Sequence, residues 1–280
     1  MRDFNGRTAV ITGAGSGIGR ALAVELANRG ARLALSGRRL ANVAETAELC
    51  RLAGAEARAY QVDVADRAAV YDHAEQVLAD FGSVNLVVNN AGIPLVASVE
   101  ETSWEQAEEI FAVNLWGALY GTKAFLPHLI ASGEGYLVNI SSVLGLIALP
   151  TQSMYSATKF ALRGLTDALR QEMLLSGHPV GVSCVYPGVV RTPIFEKVRT
   201  GPSLDPAAVT HQTTQLPAVS AERAATVILR GVRRRRARIL IGPDARIFAA
   251  LTRLFPAAHQ RLTVPLFRRD PVTGKAFRPD

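Results

Sequence analysis

Tyr155 and Lys159 stand four residues apart, and Ser142 lies 13 residues before the tyrosine. On a helix, positions four apart share one face, so the phenol and the ammonium would meet one turn apart. A free phenol ionises at about pH 10 and exchanges protons poorly at neutral pH. A neighbouring cation favours the phenolate and lowers that pKa. The pair is therefore a candidate general acid or base. Ser142 adds a hydroxyl that could hold a substrate oxygen. Tyr-x-x-x-Lys alone is common on helices, where a buried ring beside a solvated lysine gives the same pattern. The elements that would position these residues decide between the two readings.

The first such element is an apolar strand, Thr8-Ala9-Val10-Ile11, which runs into Gly13-Ala14-Gly15-Ser16-Gly17-Ile18-Gly19. Ile18, Leu22 and Leu26 then recur at helical spacing. A glycine-rich loop between a buried strand and a helix lets backbone approach a pyrophosphate at the helix's positive end. The second strand, Ala31–Ser36, ends at Gly37-Arg38-Arg39 with no acid. A carboxylate there would bind the 2′-hydroxyl of NAD, whereas a guanidinium suits the 2′-phosphate of NADP. Arg38 directly follows the position the acid would take. The alternative is that Arg38 and Arg39 merely open the next helix in solvent.

Further strands are expected at 57–62, 84–88, 135–141, 180–186 and 238–241, each preceded or followed by a helical pattern. Asp63 and Val64 end the third; Asp63 could reach an adenine amino group or cap the helix starting near Asp66. Asn89-Asn90-Ala91-Gly92 follows the fourth and suits a wall packed against a flat ligand. Asn114 sits inside an apolar helical pattern, where an amide is costly unless paired. It implies a structural hydrogen bond, a bound water or a helix distortion. Alternating strands and helices with near-continuous apolar strands predict an α/β fold: one Rossmann-type, doubly wound parallel sheet of about seven strands, helices on both faces. Ligands in such sheets sit beyond the strands' carboxyl ends, where every candidate residue falls.

The totals agree. The chain has 280 residues, 49% of them hydrophobic, with mean hydropathy +0.16. No apolar run reaches the roughly 18 residues of a spanning helix, and no leader-like apolar core follows the first residues. Cys50 and Cys184 form no metal or disulfide framework, so a cytoplasmic setting is expected. Residues 230–280 hold 13 Lys/Arg against three Asp. The net charge of +7 thus sits in the tail, and the body is slightly acidic.

These residues resemble the short-chain dehydrogenase/reductase family in its classical branch. The match rests on Thr12-Gly13-x-x-x-Gly17-x-Gly19, Asn89-Asn90-Ala91-Gly92, Ser142, Tyr155-x-x-x-Lys159 and Pro187-Gly188, in the family's order and spacing. The resemblance implies a tetrad. Tyr155 would be the general acid/base and Ser142 would polarise the substrate oxygen. Lys159 would bind the nicotinamide ribose and depress the Tyr155 pKa, and Asn114 would anchor a proton-relaying water. It also implies cofactor contacts from Gly13, Ser16, Gly17, Ile18, Gly19, Arg38, Asp63, Val64, Asn89, Ala91, Gly92, Pro187, Gly188, Val190 and Thr192. One family subgroup carries a base in the glycine-rich loop; Ser16 stands there, so NADP(H) preference rests on Arg38, with support from Ser36 and Arg39.

Residues 193–219, rich in proline, are expected as a flap with short helical pieces. Ile93, Val143, Leu144, Leu149, Met154 and Ile194, with Leu95 and Phe195, are candidate pocket residues that favour a hydrophobic substrate. Residues 1–242 are expected as the dinucleotide-binding and catalytic domain, and 243–280 as a basic amphipathic extension. The extension has three readings: packing on its own body or a partner subunit, peripheral membrane contact, and, least supported, nucleic acid. The function expected is an NADP(H)-dependent oxidoreductase acting on a carbonyl or secondary alcohol, as a homodimer or homotetramer. The alternatives are an NAD-dependent alcohol dehydrogenase, or a non-catalytic cofactor-binding sensor acting through its tail.

Overall fold

The computed structural model describes residues 3–277. Its strands are β1 (Thr8–Thr12), β2 (Arg32–Gly37), β3 (Ala57–Gln61), β4 (Leu86–Asn89), β5 (Leu95–Val96), β6 (Gly135–Ile140), β7 (Val180–Pro187), β8 (Val190–Arg191), β9 (Arg199–Thr200), β10 (Val219–Ser220) and β11 (Arg238–Ile241). Seven of them form one parallel sheet in the order β11-β7-β6-β4-β1-β2-β3. The chain turns outward in both directions from β1, so β1 and β4 flank the crevice where such sheets bind ligands.

The helices are α1 (Gly17–Ala27), α2 (Leu40–Leu52), α3 (Arg67–Phe81), α4 (Trp104–Phe111), α5 (Gly117–Ala131), α6 (Ser153–Leu175), α7 (Pro206–Thr214), α8 (Ala221–Arg233), α9 (Pro243–Leu254) and α10 (His259–Arg269). Leu22, Leu26, Val43, Ile228 and Leu229 from α1, α2 and α8 pack on one sheet face. Val70, Val77, Phe125, Leu129 and Leu169 from α3, α5 and α6 pack on the other. Burial on both faces is why β1 and β7 are apolar almost throughout.

Side-chain caps set several helix starts. Asp66 caps α3, Ser103 and Gln106 form a capping box on α4, and Ser220 caps α8. Asp63 does not cap α3; its Oδ1 accepts the Ala65 amide at 3.0 Å in the preceding turn. The two helical stretches expected around Asn114 form one path, α4 to α5, joined by a π turn over Ala112–Trp116. The flap contains the expected helical pieces, a 3-10 turn at Pro193–Lys197 and α7. Two short strand pairings tie it to the segments around it, β5 with β9 and β8 with β10, too brief to leave a period in the sequence.

The extension lies on its own body. Ala249 of α9 packs with Leu146, Cys184 and Tyr186, and Ala245 is fully buried. Val272 and Ala276 pack on a flap cluster of Val96, Val198, Leu204 and Val209, and the Gln212 amide donates to Asp270. α10 runs through Pro265, which reads as a breaker in sequence. Residues 278–280 lie outside the described residues.

His73 on α3 is buried between the Tyr60 and Phe125 rings, with centroids 4.7 and 5.9 Å away. Neither ring nitrogen has a hydrogen-bond partner, and burial lowers its pKa from 6.5 to about 4. The unfolded chain takes up this proton below pH 6.5, whereas the folded chain resists it until about 4. Stability present above pH 6.5 is therefore lost as pH falls through that window. Between neutrality and pH 5, wild type should lose about 2 kcal/mol more stability than His73→Phe. Urea unfolding at the two pH values measures this, and equal losses would refute it.

Candidate active site

The β1–α1 loop forms the first wall. Gly17 has φ +52°, and a Cβ on it would stand 3.0 Å from the Thr192 methyl, so this loop and the segment after β7 touch. α1 starts at Ser16 with no side-chain cap and no acid in its first turn. Its leading amides are thus left for an anion, unlike those of the capped helices. The loop is tied to the next strand end. Thr12 Oγ1 accepts the Asn90 and Ala91 amides at 3.0 and 3.1 Å, and Asn90 Nδ2 donates to the Thr12 carbonyl at 2.9 Å. Such a cradle fits a dinucleotide pyrophosphate.

Arg38 and Arg39 follow β2 and are exposed. Ser36 is fully buried, and its hydroxyl has no partner. Its side chain is turned into the core, which leaves the two arginines as the groups at that edge. Asp63 is exposed beyond β3, while Val64 packs against Gly117. Asn89 also turns inward: its Nδ2 donates to Asn139 Oδ1 at 2.8 Å and to the Ala118 carbonyl and Thr122 Oγ1, both at 3.1 Å. Any contact from Asn89 to a ligand falls to its backbone.

Ser142, Tyr155, Lys159 and Asn114 converge. Ser142 Oγ accepts the Leu144 amide at 3.1 Å, and its O–H is turned toward the Tyr155 phenol. Burial raises the Tyr155 phenol above its ordinary 10.0, and a hydrogen bond with Ser142 pulls it partly back. Lys159 Nζ lies 5.6 Å from the Tyr155 ring centroid and donates to the Ile140 carbonyl at 3.0 Å. Burial lowers the Lys159 pKa to about 8. The sequence pairing predicts a depressed phenol; here desolvation wins and the Ser142 hydrogen bond is what opposes it, while Lys159 sits over the ring with a hydrogen bond committed to the Ile140 carbonyl.

Asn114 accounts for the π turn. Its Oδ1 accepts the Ile93 amide at 2.8 Å, and its Nδ2 donates to the Ile93 carbonyl at 3.0 Å. A Cβ on Gly92 would lie 3.2 Å from Asn114 Oδ1 and 3.5 Å from Lys159 Nζ, so this glycine lets the two side chains close on one spot. Of the candidate pocket residues, Ile93 and Met154 pack with Tyr155 against Leu95, Ala97 and Ile110. Leu95 itself is buried core. Val143, Leu144 and Leu149 are part-buried in the segment after Ser142, and Ile194 is exposed on the flap. Pro187 ends β7, and Gly188, Val190 and Thr192 lie in the segment that follows.

The short chain dehydrogenase family model matches residues 7–203. SadH of Mycobacterium tuberculosis is 46% identical over 263 residues, 94% of this chain and 95% of that protein. Estradiol 17-beta-dehydrogenase 11 of Mus musculus is 36% identical over 204 residues, 72% of this chain and 68% of that protein. The crystal structure of a short chain dehydrogenase/reductase from Burkholderia phymatum in complex with NAD superposes with TM-score 0.84 at 32% identity, covering 97% and 99% of the two chains. The chain belongs to the classical short-chain dehydrogenase/reductase family.

Two residues shape this reductase-family site without any motif to announce them. Arg20 donates to the Gly15 carbonyl at 2.8 Å and pairs with Glu45, bracing the glycine-rich loop against α2. In sequence it reads as an ordinary helix-surface arginine. Thr151 has φ +62°, unusual for a β-branched residue, and its carbonyl accepts the Ala97 amide at 2.8 Å. That bond fixes the approach to Tyr155.

Asn114→Ala would leave the Ile93 amide and carbonyl unpaired. It should cost about 1–3 kcal/mol in urea unfolding; an unchanged midpoint would show that the amide does not hold the turn.

Proposed function

We propose that this protein is an NADP(H)-dependent oxidoreductase interconverting a carbonyl and a secondary alcohol on a hydrophobic small molecule. The observation that carries the reading is the meeting of Ser142, Tyr155 and Lys159 beside a glycine-rich helix start without a side-chain cap. When bound there, nicotinamide would supply or accept the hydride.

The chain's own groups manage the proton and the oxygen. Tyr155 gives its phenolic proton to the substrate oxygen in reduction and recovers it in oxidation. Its raised pKa keeps that proton in place across the neutral range. The Ser142 O–H, directed at the phenol in the structure, donates to the same oxygen once substrate stands between them. Lys159, with a pKa of about 8, is mostly cationic at pH 7 and stabilises the phenolate as it forms. Asn114 and Gly92 hold the wall beside Lys159.

NADP(H) preference is supported by Arg38 and Arg39 beyond β2, where no acid stands. The Burkholderia relative is in complex with NAD, which favours an NAD-dependent alcohol dehydrogenase as the second reading. A hydrophobic substrate is supported by Ile93, Met154 and the part-buried Val143, Leu144 and Leu149. The name of the mouse relative points to a steroid alcohol for that protein.

The proposal includes a homodimer or homotetramer across α6 and the path from the Asn114 turn into α5, where Phe160 and Trp116 are exposed. It places the protein in the cytoplasm, in keeping with two buried free cysteines. It also includes peripheral contact of α9 with an anionic surface: Ile247 and Leu254 are exposed on that helix, with Arg246 and Arg253 beside them. No helix among the described residues is long and apolar enough to cross a membrane.

Tyr155→Phe should lower turnover by about 100-fold or more while cofactor affinity stays within about twofold. Steady-state rates on a ketone panel with parallel fluorescence titration measure this, and normal turnover would remove the mechanism. Arg38→Ala should weaken NADPH binding by about tenfold or more and leave NADH nearly unchanged. Equal effects on both dinucleotides would favour the NAD reading.

A further inference from the structure

The extension meets the cofactor side of the sheet through a single carboxylate. Asp244 stands in the first turn of α9, and its Oδ2 accepts the Val189 amide at 2.7 Å. Val189 lies between Gly188, at the end of β7, and β8. Two glycines clear the room for this carboxylate. A Cβ on either Gly188 or Gly242 would overlap it, and Gly242 holds φ +96°, where side chains are disfavoured.

Elsewhere, among the described residues, the same short segment is hydrogen-bonded only through backbone, and Val190 packs against the core. The Val189 carbonyl accepts the Val219 amide at 2.9 Å, and the Gly188 amide donates to the Ile241 carbonyl at 2.9 Å. Val190 and Arg191 pair with Val219 and Ser220. Thr192 then comes against Gly17 at the start of α1. Among the described residues, Asp244 supplies the only side-chain hydrogen bond to residues 187–192. A hydrogen bond to a carboxylate is roughly twice as strong as a neutral one. The N-terminal end of α9 also favours negative charge at that place.

We infer that Asp244 is a positioning residue. Its carboxylate sets how segment 188–192 stands against Gly17, and so governs affinity for the nicotinamide ring of the dinucleotide. The inference rests on the cofactor reading proposed above. An acid at a helix start is ordinary; this one bonds a peptide 55 positions away, across the mouth of the proposed site.

The test uses the full chain and titrates NADPH, NADH, ADP-ribose and its 2′-phosphate. ADP-ribose lacks only the nicotinamide ring, so it reads the adenosine, the pyrophosphate and the second ribose without that ring. Wild type is measured first. If it binds neither dinucleotide, the cofactor reading falls and takes this inference with it. If it binds, Asp244→Ala should weaken the preferred dinucleotide about tenfold and leave the matching ADP-ribose within about twofold. Asp244→Asn keeps an oxygen acceptor and should recover most of the loss. Unchanged dinucleotide binding by Asp244→Ala would overturn the inference alone. So would a proportionate loss of ADP-ribose, because that marks general damage. Should Asp244→Ala not fold, Gly188→Ala pushes the carboxylate off Val189 and must show the same selective loss.

Discussion

A parallel sheet buried on both faces has to satisfy its backbone groups internally, because neither face meets water. That constraint governs this molecule. Strands such as β1 and β7 must be apolar at successive positions, since no face is left for polar side chains. Each strand must then be followed by a crossover on one face or the other. All seven carboxyl ends therefore open along a single edge. The glycine-rich loop, Arg38, Asp63, Gly92, Ser142 and Thr192 meet there because the strands are parallel, not because they are near in sequence.

The same burial gives weight to the few polar groups inside. Asn89 Nδ2 donates to Asn139 Oδ1, and Asn139 Nδ2 donates to Thr166 Oγ1 at 2.9 Å. Thr166 in turn donates to the Leu162 carbonyl, and Thr122 to the Ala118 carbonyl. Asn89, Asn139, Thr122 and Thr166 are all buried. An unpaired amide nitrogen in such a place costs about 1–3 kcal/mol, so these bonds favour one arrangement, with Asn89 Oδ1 left without a partner. It links β4 and β6 to α5 and α6. Those are the helices that follow the Asn114 turn and carry Tyr155 and Lys159. The network thereby fixes the height of the proton-handling groups above the strand ends.

Local pattern carried much of this to the sequence level. The seven-stranded sheet follows from apolar period, and a helix distortion is one of the three outcomes that an amide in an apolar helix leaves open at Asn114. Tyr155, Lys159 and Ser142 are visible because their spacing is local or belongs to a family motif. What escaped the sequence depends on distant partners. The β5–β9 and β8–β10 pairings span two residues each and leave no period. Asn89 and Ser36 sit at strand ends, as the site predicts, yet their side chains turn inward because strand residues alternate in direction. Asp244 looks like any acid opening a helix until Val189 is seen beside it.

The opposite pKa shifts of Tyr155 and Lys159 share one cause. Both groups lose water, and desolvation disfavours whichever form is charged. The phenol is held neutral, with its proton, while the ammonium is brought to about 8, near the working range. A phenol with a strongly depressed pKa would already be ionised at neutral pH and could not donate to a carbonyl oxygen. A phenol left wholly alone would donate too reluctantly. In this chain the ammonium 5.6 Å from the ring centroid gains most once the phenolate forms, because an ion pair in a dry site is stronger than in water. Lys159 thus acts mainly on the charged state that proton transfer creates, and its bond to the Ile140 carbonyl keeps it there before the charge exists.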